Sequence, residues 1–175
     1  MSVINTLSDI VDNGLCIGCG ICQSIVGKDK IKIEMSTKGR LEPKETEKLS
    51  TDTFEKIKKV CPGVIVEGLP KKEVNTNSKH DLIWGYYHSL FYTWSTNEQI
   101  RFQSSTGGLL NGLSLYLLES KKIKIICDTS SIPEKPMRNQ SKRSYTKDDL
   151  LNCDSRSRYG PSSPLDKFHE ALDLK

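Results

Sequence analysis

Cys16-Ile17-Gly18-Cys19-Gly20-Ile21-Cys22 is the stretch of this chain that constrains its structure most. Three thiols at C-x2-C-x2-C spacing on a glycine-containing loop can converge on one face of a metal cluster, and a distant Cys61-Pro62 supplies a fourth thiol. A two-cluster pattern would have another cysteine after three intervening residues, where this chain has Val26. The pattern therefore predicts one 4Fe-4S cluster, whose ligands are Cys16, Cys19, Cys22 and Cys61.

Structural zinc and unligated or disulfide-bonded thiols are the alternatives for these cysteines. Zinc ligands usually come as separated C-x2-C pairs or as Cys and His pairs, and no histidine lies near this loop in the sequence. Three cysteines within seven residues suit the corners of a cubane better. Because six cysteines with such spacing would be vulnerable in an oxidising compartment, the sequence also predicts a cytoplasmic protein.

Composition and charge exclude some other classes of protein. The chain has 175 residues, and its 26 Lys and Arg are interleaved with 22 Asp and Glu, so that the net charge of +4 is too weak to indicate nucleic-acid binding. Residues 1–13 lack the basic and apolar regions of a signal peptide, and no stretch is long enough to span a bilayer. We therefore expect no nucleic-acid partner and no membrane span.

The order of patterns along the chain divides it into three parts. We expect an iron–sulfur cluster lobe at residues 1–68, a polar linker at 69–80 and an α/β part at 81–175. In the first part Ile31–Met35 alternates like the strands that flank clusters in small ferredoxin-like folds. Asp52 with Glu55 predicts the start of a helix that presents Cys61 at its end.

The third part carries an α/β pattern. An aromatic strand at Tyr87–Trp94, a helix at Leu109–Leu118 and a buried strand at Ile123–Cys127 together predict a βαβ-like unit. The Pro/Ser/Arg-rich stretch Ser131–Arg138 predicts a long active-site loop or a partly disordered segment. Thr146 with Asp149 predicts the cap of a short helix. The fold class is therefore α/β, or α+β overall.

Two motifs in the third part suggest ligand binding. Ser104-Ser105-Thr106-Gly107-Gly108 precedes the leucine-rich helix, where free amides and the helix dipole can hold an anion or phosphate; an ordinary Ser/Thr N-cap is the alternative. Ser157, Arg158 and Tyr159 could contact a phosphate and a ring, or form a solvated basic loop. Cys127 is expected to be a small buried core residue, and Cys153 has no assigned role.

Taken together, these motifs resemble the coenzyme F-420 hydrogenase/dehydrogenase beta-subunit family. The motifs that carry the resemblance, in order, are Cys16–Cys22, Cys61-Pro62-Gly63, Gln103–Leu110 and Ser157–Pro161. The resemblance implies an iron–sulfur flavoprotein oxidoreductase that binds FAD and passes electrons between a cluster and a soluble carrier, such as the deazaflavin coenzyme F-420. It also implies that the cysteine quartet holds the cluster. The residues that it assigns to the flavin site are Ser105, Thr106, Gly107 and Gly108, with Ser157, Arg158 and Tyr159 as further contacts.

The resemblance is to the N-terminal half of such a protein. It implies that residues 81–175 are an α/β flavin-site half domain, a truncated unit that needs another redox subunit, or the missing C-terminal half, as its partner. Alone the chain should bind FAD weakly or not at all, show no turnover of deazaflavin, and leave apolar faces at Tyr87–Trp94 and Leu109–Leu118 partly uncovered. The alternatives are a non-enzymatic ferredoxin-like electron-transfer module and an inactive fragment.

Overall fold

Two short helices and a hairpin surround the cysteine loop near the start of the chain. The computed structural model describes residues 4–68, 70–151 and 160–173. Helix α1 (Leu7–Asp12) begins at a capping box between Thr6 and Asp9, and helix α2 (Ile21–Val26) follows the cysteine loop directly. Strands β1 (Ile31–Met35) and β2 (Leu41–Glu45) pair antiparallel. The predicted strand is thus confirmed with its bounds.

Helix α3 (Thr51–Val60) carries the fourth cysteine at its end. It begins after Ser50, whose hydroxyl accepts a hydrogen bond from the N–H of Thr53, so the predicted capping box of Asp52 and Glu55 is wrong. Those two carboxylates lie inside the first turns, where Asp52 pairs with Lys56 at 2.7 Å and Glu55 pairs with Lys58 at 2.8 Å. The C-cap residue is Cys61, as the sequence predicted.

The first hydrophobic core joins these elements. Its fully or nearly fully buried residues come from α1, α2, β1 and α3: Leu7, Ile10, Cys22, Ile31, Phe54 and Ile57. Cys16 and Cys61 pack against it. The core therefore fixes the positions of two segments that lie about 40 residues apart in the sequence, and it brings their cysteines to one side.

A small hairpin and an irregular aromatic segment follow the first part. The chain passes a 3-10 turn at Lys71–Glu73 and forms β3 (Lys79–Asp81) and β4 (Gly85–Tyr87), which pair antiparallel. The predicted strand at Tyr87–Trp94 is wrong, since residues 88–94 form no ladder in the described structure. A strand needs a neighbour for its N–H and C=O groups, and the described part of the chain offers none here.

The remaining sheet is also an antiparallel hairpin. Helices α4 (Glu98–Gln103) and α5 (Leu109–Glu119) lead to β5 (Ile126–Ile132), which pairs with β6 (Lys135–Ser144). The predicted βαβ unit is wrong, because its first strand does not form in the described structure and β5 pairs antiparallel with β6 through the short turn at Pro133-Glu134. The predicted loop at Ser131–Arg138 is likewise wrong, since this stretch lies in the hairpin. Only the last two residues of the predicted strand at Ile123–Cys127 belong to β5.

A second, smaller core lies under this hairpin. Ile100 of α4, Leu115 of α5 and Leu150 of α6 (Lys147–Leu151) are buried against one another. Thr146 and Asp149 exchange the two hydrogen bonds of the predicted cap. The chain ends its described part with α7 (Phe168–Leu172), and the whole is a mixed α/β protein. No helix within the described ranges is both long and apolar enough to cross a membrane.

Candidate functional site

The four predicted cluster cysteines line one small apolar cavity. Cys16, Cys19 and Cys22 enter it from the loop and the first turn of α2, and Cys61 enters from the end of α3. Its other walls include Leu7, Ile10, Ile33 and Pro43. The space between them is about 20 Å³.

The surroundings of the thiols favour their neutral form. Burial raises the pKa of the Cys16, Cys19 and Cys22 thiols, in the last case to about 12. The closeness of the other cysteines raises the pKa further, because neighbouring thiolates repel one another. Amide N–H groups of the loop oppose this effect, with Gly18 donating to the Cys16 sulfur and Ile21 donating to the Cys19 sulfur. The loop thus already directs hydrogen bonds at the sulfurs.

The donor set fits a thiolate-held cluster in its chemistry. Four cysteines are the ligands that a 4Fe-4S cluster takes, and an apolar wall limits the access of water. No group of three or more His, Cys, Asp or Glu within the described residues is arranged to hold a single metal ion. The thiols of a cubane stand further apart than the ligands of one ion, since each binds a different iron.

The C-terminal segment, residues 160–173, lies against the cysteine loop. The hydroxyl of Ser163 donates to the carbonyl of Gly18 at 2.7 Å, and the N–H of Leu165 donates to the carbonyl of Cys19 at 2.9 Å. The sequence analysis missed these residues and assigned the segment to the flavin-site half domain. No local signal could reveal the contact, because Gly18 and Ser163 are separated by 145 positions.

The predicted phosphate-binding turn borders a second cavity, of about 300 Å³. Ser104, Ser105, Thr106 and Gly108 line it on one side. Sequence reasoning missed the residues on the other sides, which include Asn111 of α5 and Cys127 and Asp128 of β5. A hydrogen bond of 2.7 Å from the Asn111 amide to the Ser104 hydroxyl ties the turn to the helix. The cavity can therefore offer hydroxyl groups to a ligand, whereas the N–H groups of Ser104 and Gly108 already donate to the carbonyls of Ile100 and Ser105.

Gly107 differs from its neighbours in the turn. It does not line the cavity; a side chain there would place its Cβ 2.9 Å from the Cβ of Trp94. Its φ of 66° also disfavours other residues. Gly108, rather than a serine or threonine, occupies the N-cap position of α5, without a side-chain cap. The ordinary Ser/Thr N-cap is therefore not the arrangement seen.

Three further predicted contacts, Ser157, Arg158 and Tyr159, lie outside the described residues, and so does Cys153. The structure brings Ser105, Thr106 and Gly108 together at one cavity and the four cysteines together at another. Cys127 is only partly buried and lines the second cavity, whereas a buried core position was expected.

A comparison with known proteins finds a family that matches the part of the chain in which the second cavity lies. Residues 90–169 match the family model described as coenzyme F420 hydrogenase/dehydrogenase, beta subunit N-term. The family resemblance is confirmed. The F420 hydrogenase/dehydrogenase match covers a little under half of the chain and suggests a redox subunit that works with other redox subunits. It includes the Ser104–Gly108 turn and Ser163, and it leaves out the cysteine quartet. No curated protein matches the chain significantly.

Proposed function

We propose that this chain is an iron–sulfur flavoprotein subunit of the F-420 hydrogenase/dehydrogenase type. It passes electrons between a 4Fe-4S cluster held by Cys16, Cys19, Cys22 and Cys61, FAD, and a soluble carrier such as the deazaflavin coenzyme F-420. It works in the reducing cytoplasm, with another redox subunit or a further half of the protein as partner. The family match at residues 90–169 supports the redox class of this proposal.

The observation that carries the proposal is the convergence of four thiols. Two segments far apart in the sequence direct their cysteines into one apolar cavity, and loop amides donate to the sulfurs. Thiols without a ligand would have little reason to cluster where burial opposes their ionisation. A metal cluster accounts for the arrangement, since it binds the thiolates and neutralises their mutual repulsion.

The residues of the chain have separate tasks in this scheme. When bound, the cluster supplies a one-electron carrier, and FAD supplies the exchange between hydride and single-electron transfer. Leu7, Ile10 and Phe54 keep water from the sulfurs through the first core. The hydroxyls of Ser105 and Thr106 and the amides at the start of α5 would bind an anionic group and orient the ligand that carries it.

The second cavity fits part of a flavin nucleotide. Its volume of about 300 Å³ is at the lower end of the range for ligand pockets. Its hydroxyls and amides suit the phosphate or ribityl part, and the rest of FAD would need additional surface. A partner subunit or further chain would supply that surface, which agrees with the expectation of weak FAD binding by this chain alone.

Anaerobic purification with iron and sulfide analysis tests the cluster. The proposal expects about four iron and four sulfide per chain, as a cubane requires. Cys61→Ser should lose most of the iron, whereas Cys127→Ser, a change outside the cysteine cavity, should retain it. Stoichiometric zinc in place of iron, or equal iron in both variants, would contradict the proposal.

A ferredoxin-like electron-transfer module without flavin is the second candidate. The small volume of the second cavity favours it. Titration of the purified chain with FAD, followed by quenching of flavin fluorescence, separates the two candidates. Saturable binding that Asn111→Leu weakens without loss of iron supports the flavoprotein. Iron-loaded protein with no binding, also in the presence of its redox partner, supports the module.

A further inference from the structure

The C-terminal segment holds two consecutive peptide groups of the cysteine loop. Ser163 donates its hydroxyl to the carbonyl of Gly18 at 2.7 Å in a buried contact. The N–H of Leu165 donates to the carbonyl of Cys19 at 2.9 Å. Both contacts are made to the segment between the first and third predicted ligands, so they act on the backbone that carries the sulfurs.

A contact at a peptide carbonyl also fixes the direction of the N–H in the same peptide group, which lies on the other side of the loop. In a planar trans peptide the C=O and the following N–H point in opposite directions. A bond to the Gly18 carbonyl therefore orients the N–H of Cys19, and a bond to the Cys19 carbonyl orients the N–H of Gly20. One peptide group thus has Ser163 at its oxygen and the predicted ligand Cys19 at its nitrogen.

Further contacts fasten the segment at both of its sides. Towards the loop, the Gln23 amide donates to the Asp166 carbonyl at 3.2 Å, and the N–H of His169 donates to the Ser24 hydroxyl at 2.8 Å. Towards β6, the Ser141 hydroxyl donates to the Asp166 carboxylate at 2.6 Å. The segment is therefore held between α2 and the β5–β6 hairpin, so Ser163 has a fixed position from which to act.

We infer that Ser163 is a positioning residue of the cluster site, which turns the N–H groups of Cys19 and Gly20 away from the C-terminal segment and towards the cysteine cavity, and thereby raises the reduction potential of the bound cluster. This inference rests on the proposed function, in which the cysteine quartet holds a 4Fe-4S cluster. Hydrogen bonds to ligand sulfurs stabilise the more negative, reduced state, so their loss lowers the potential.

The test compares Ser163→Ala with Ser162→Ala. Ser162 is the adjacent serine, is half-buried, and makes no hydrogen bond through its hydroxyl to any described residue. Dithionite titration of anaerobic protein, followed by electron paramagnetic resonance, gives the cluster midpoint. We expect Ser163→Ala to shift the midpoint to a more negative value, Ser162→Ala to leave it unchanged, and Ser163→Thr to restore it in part. Equal midpoints in the two alanine variants, with full iron content, would overturn the inference.

A second measurement needs no cluster. In protein stripped of metal, hydrogen exchange at the amides of Cys19 and Gly20 should be roughly fivefold faster or more in Ser163→Ala, as expected for loss of one hydrogen bond. If these two amides exchange at the same rate in Ser163→Ala as in the Ser162→Ala control, the inference is overturned. This holds whether or not Ser163→Ala retains iron. If the unaltered protein binds no iron–sulfur cluster, the proposed function fails and the positioning of the cluster fails with it. Exchange then shows whether Ser163 orients the loop at all.

Discussion

At the scale of single residues, the Cys22 thiol shows that a proton and a metal compete for the same sulfur. It is 8 % exposed and belongs to the first core, and burial raises its pKa to about 12. A metal binds the thiolate, so binding must displace this proton. The folded chain alone therefore prefers the neutral thiol, and a bound cluster reverses that preference.

This pKa predicts a loss of stability in alkali for protein stripped of metal. An unfolded chain loses the thiol proton near the ordinary value of 9.0, while the folded chain retains it to about 12. Above pH 9 the unfolded state binds fewer protons, so the free energy of unfolding falls, by up to about 1.4 kcal/mol for each pH unit. Urea unfolding at pH 8, 9 and 10 should show this fall, and Cys22→Ala should make it shallower. If the free energy of unfolding falls with pH as steeply in Cys22→Ala as in Cys127→Ala, the raised pKa of Cys22 is contradicted.

Two glycines near the start of the cysteine loop and of α2 allow a comparison. Gly20 has a φ of 85°, and a Cβ there would lie 2.8 Å from the Asp166 nitrogen; Gly14 has a φ of 71° with open space around it. Alanine at either position costs about 1–2 kcal/mol through the backbone. Gly20→Ala should cost about 1–3 kcal/mol more, because it pushes the C-terminal segment away. Urea unfolding measures both, and equal losses would show that the segment does not press on the loop.

At the scale of elements, α3 connects the first core with the fourth cysteine. Phe54 and Ile57 are buried on its inner face, while Val60 is half exposed. Ser50 caps its start, and Cys61 follows its last residue. Because the helix is rigid, the packing of its inner face determines where the Cys61 sulfur lies.

Shortening a buried side chain of α3 should lower both the free energy of unfolding and the iron content of the protein. Ile57→Ala, at a fully buried position, should lower the free energy of unfolding by about 2–5 kcal/mol and reduce iron retention. Val60→Ala, at the last residue of the helix but on its exposed side, should change stability by less than about 1 kcal/mol. Chemical unfolding and iron analysis check the pair. Full iron retention by a destabilised Ile57→Ala protein would argue that α3 does not position Cys61.

At the scale of the whole molecule, apolar side chains cover much of the surface between β3 and α4. Six of them are at least 80 % exposed, namely Leu82, Ile83, Trp84, Leu90, Phe91 and Tyr92. On α5, Leu110, Leu113 and Tyr116 are also exposed. The uncovered apolar residues expected within Tyr87–Trp94 and Leu109–Leu118 are thus found, and Leu82, Ile83 and Trp84 add an exposed group that the sequence did not indicate. Many exposed apolar side chains are a feature of proteins that associate.

The chain should therefore self-associate when it is purified alone. Size-exclusion chromatography with light scattering should show a mass that rises with concentration. Replacement of Leu82, Ile83 and Trp84 by serine should suppress the rise with little loss of stability, because these side chains pack on nothing in the described structure. Val66→Ser is the control, since Val66 is similarly exposed but lies outside this segment. A monomer at all concentrations would contradict the expectation.

The sequence by itself determined the features that depend on a few neighbouring residues. The strand Ile31–Met35, the helix end at Cys61, the helix that begins at Leu109 and the cap of Thr146 with Asp149 are all confirmed. Each depends on side-chain alternation, a cap or a proline within one or two turns, and such signals act over short distances. The cysteine spacing likewise indicated four residues that the structure brings to one cavity.

Only the tertiary structure decided how these local pieces meet. It paired β5 with β6 where a βαβ unit was expected, placed Gly107 against Trp94, and brought Ser163 back to the carbonyl of Gly18. Strand pairing depends on which partner is within reach, and a contact across 145 positions depends on the path of all the chain between. No local pattern encodes such contacts, because they become favourable only after both cores have brought distant segments together.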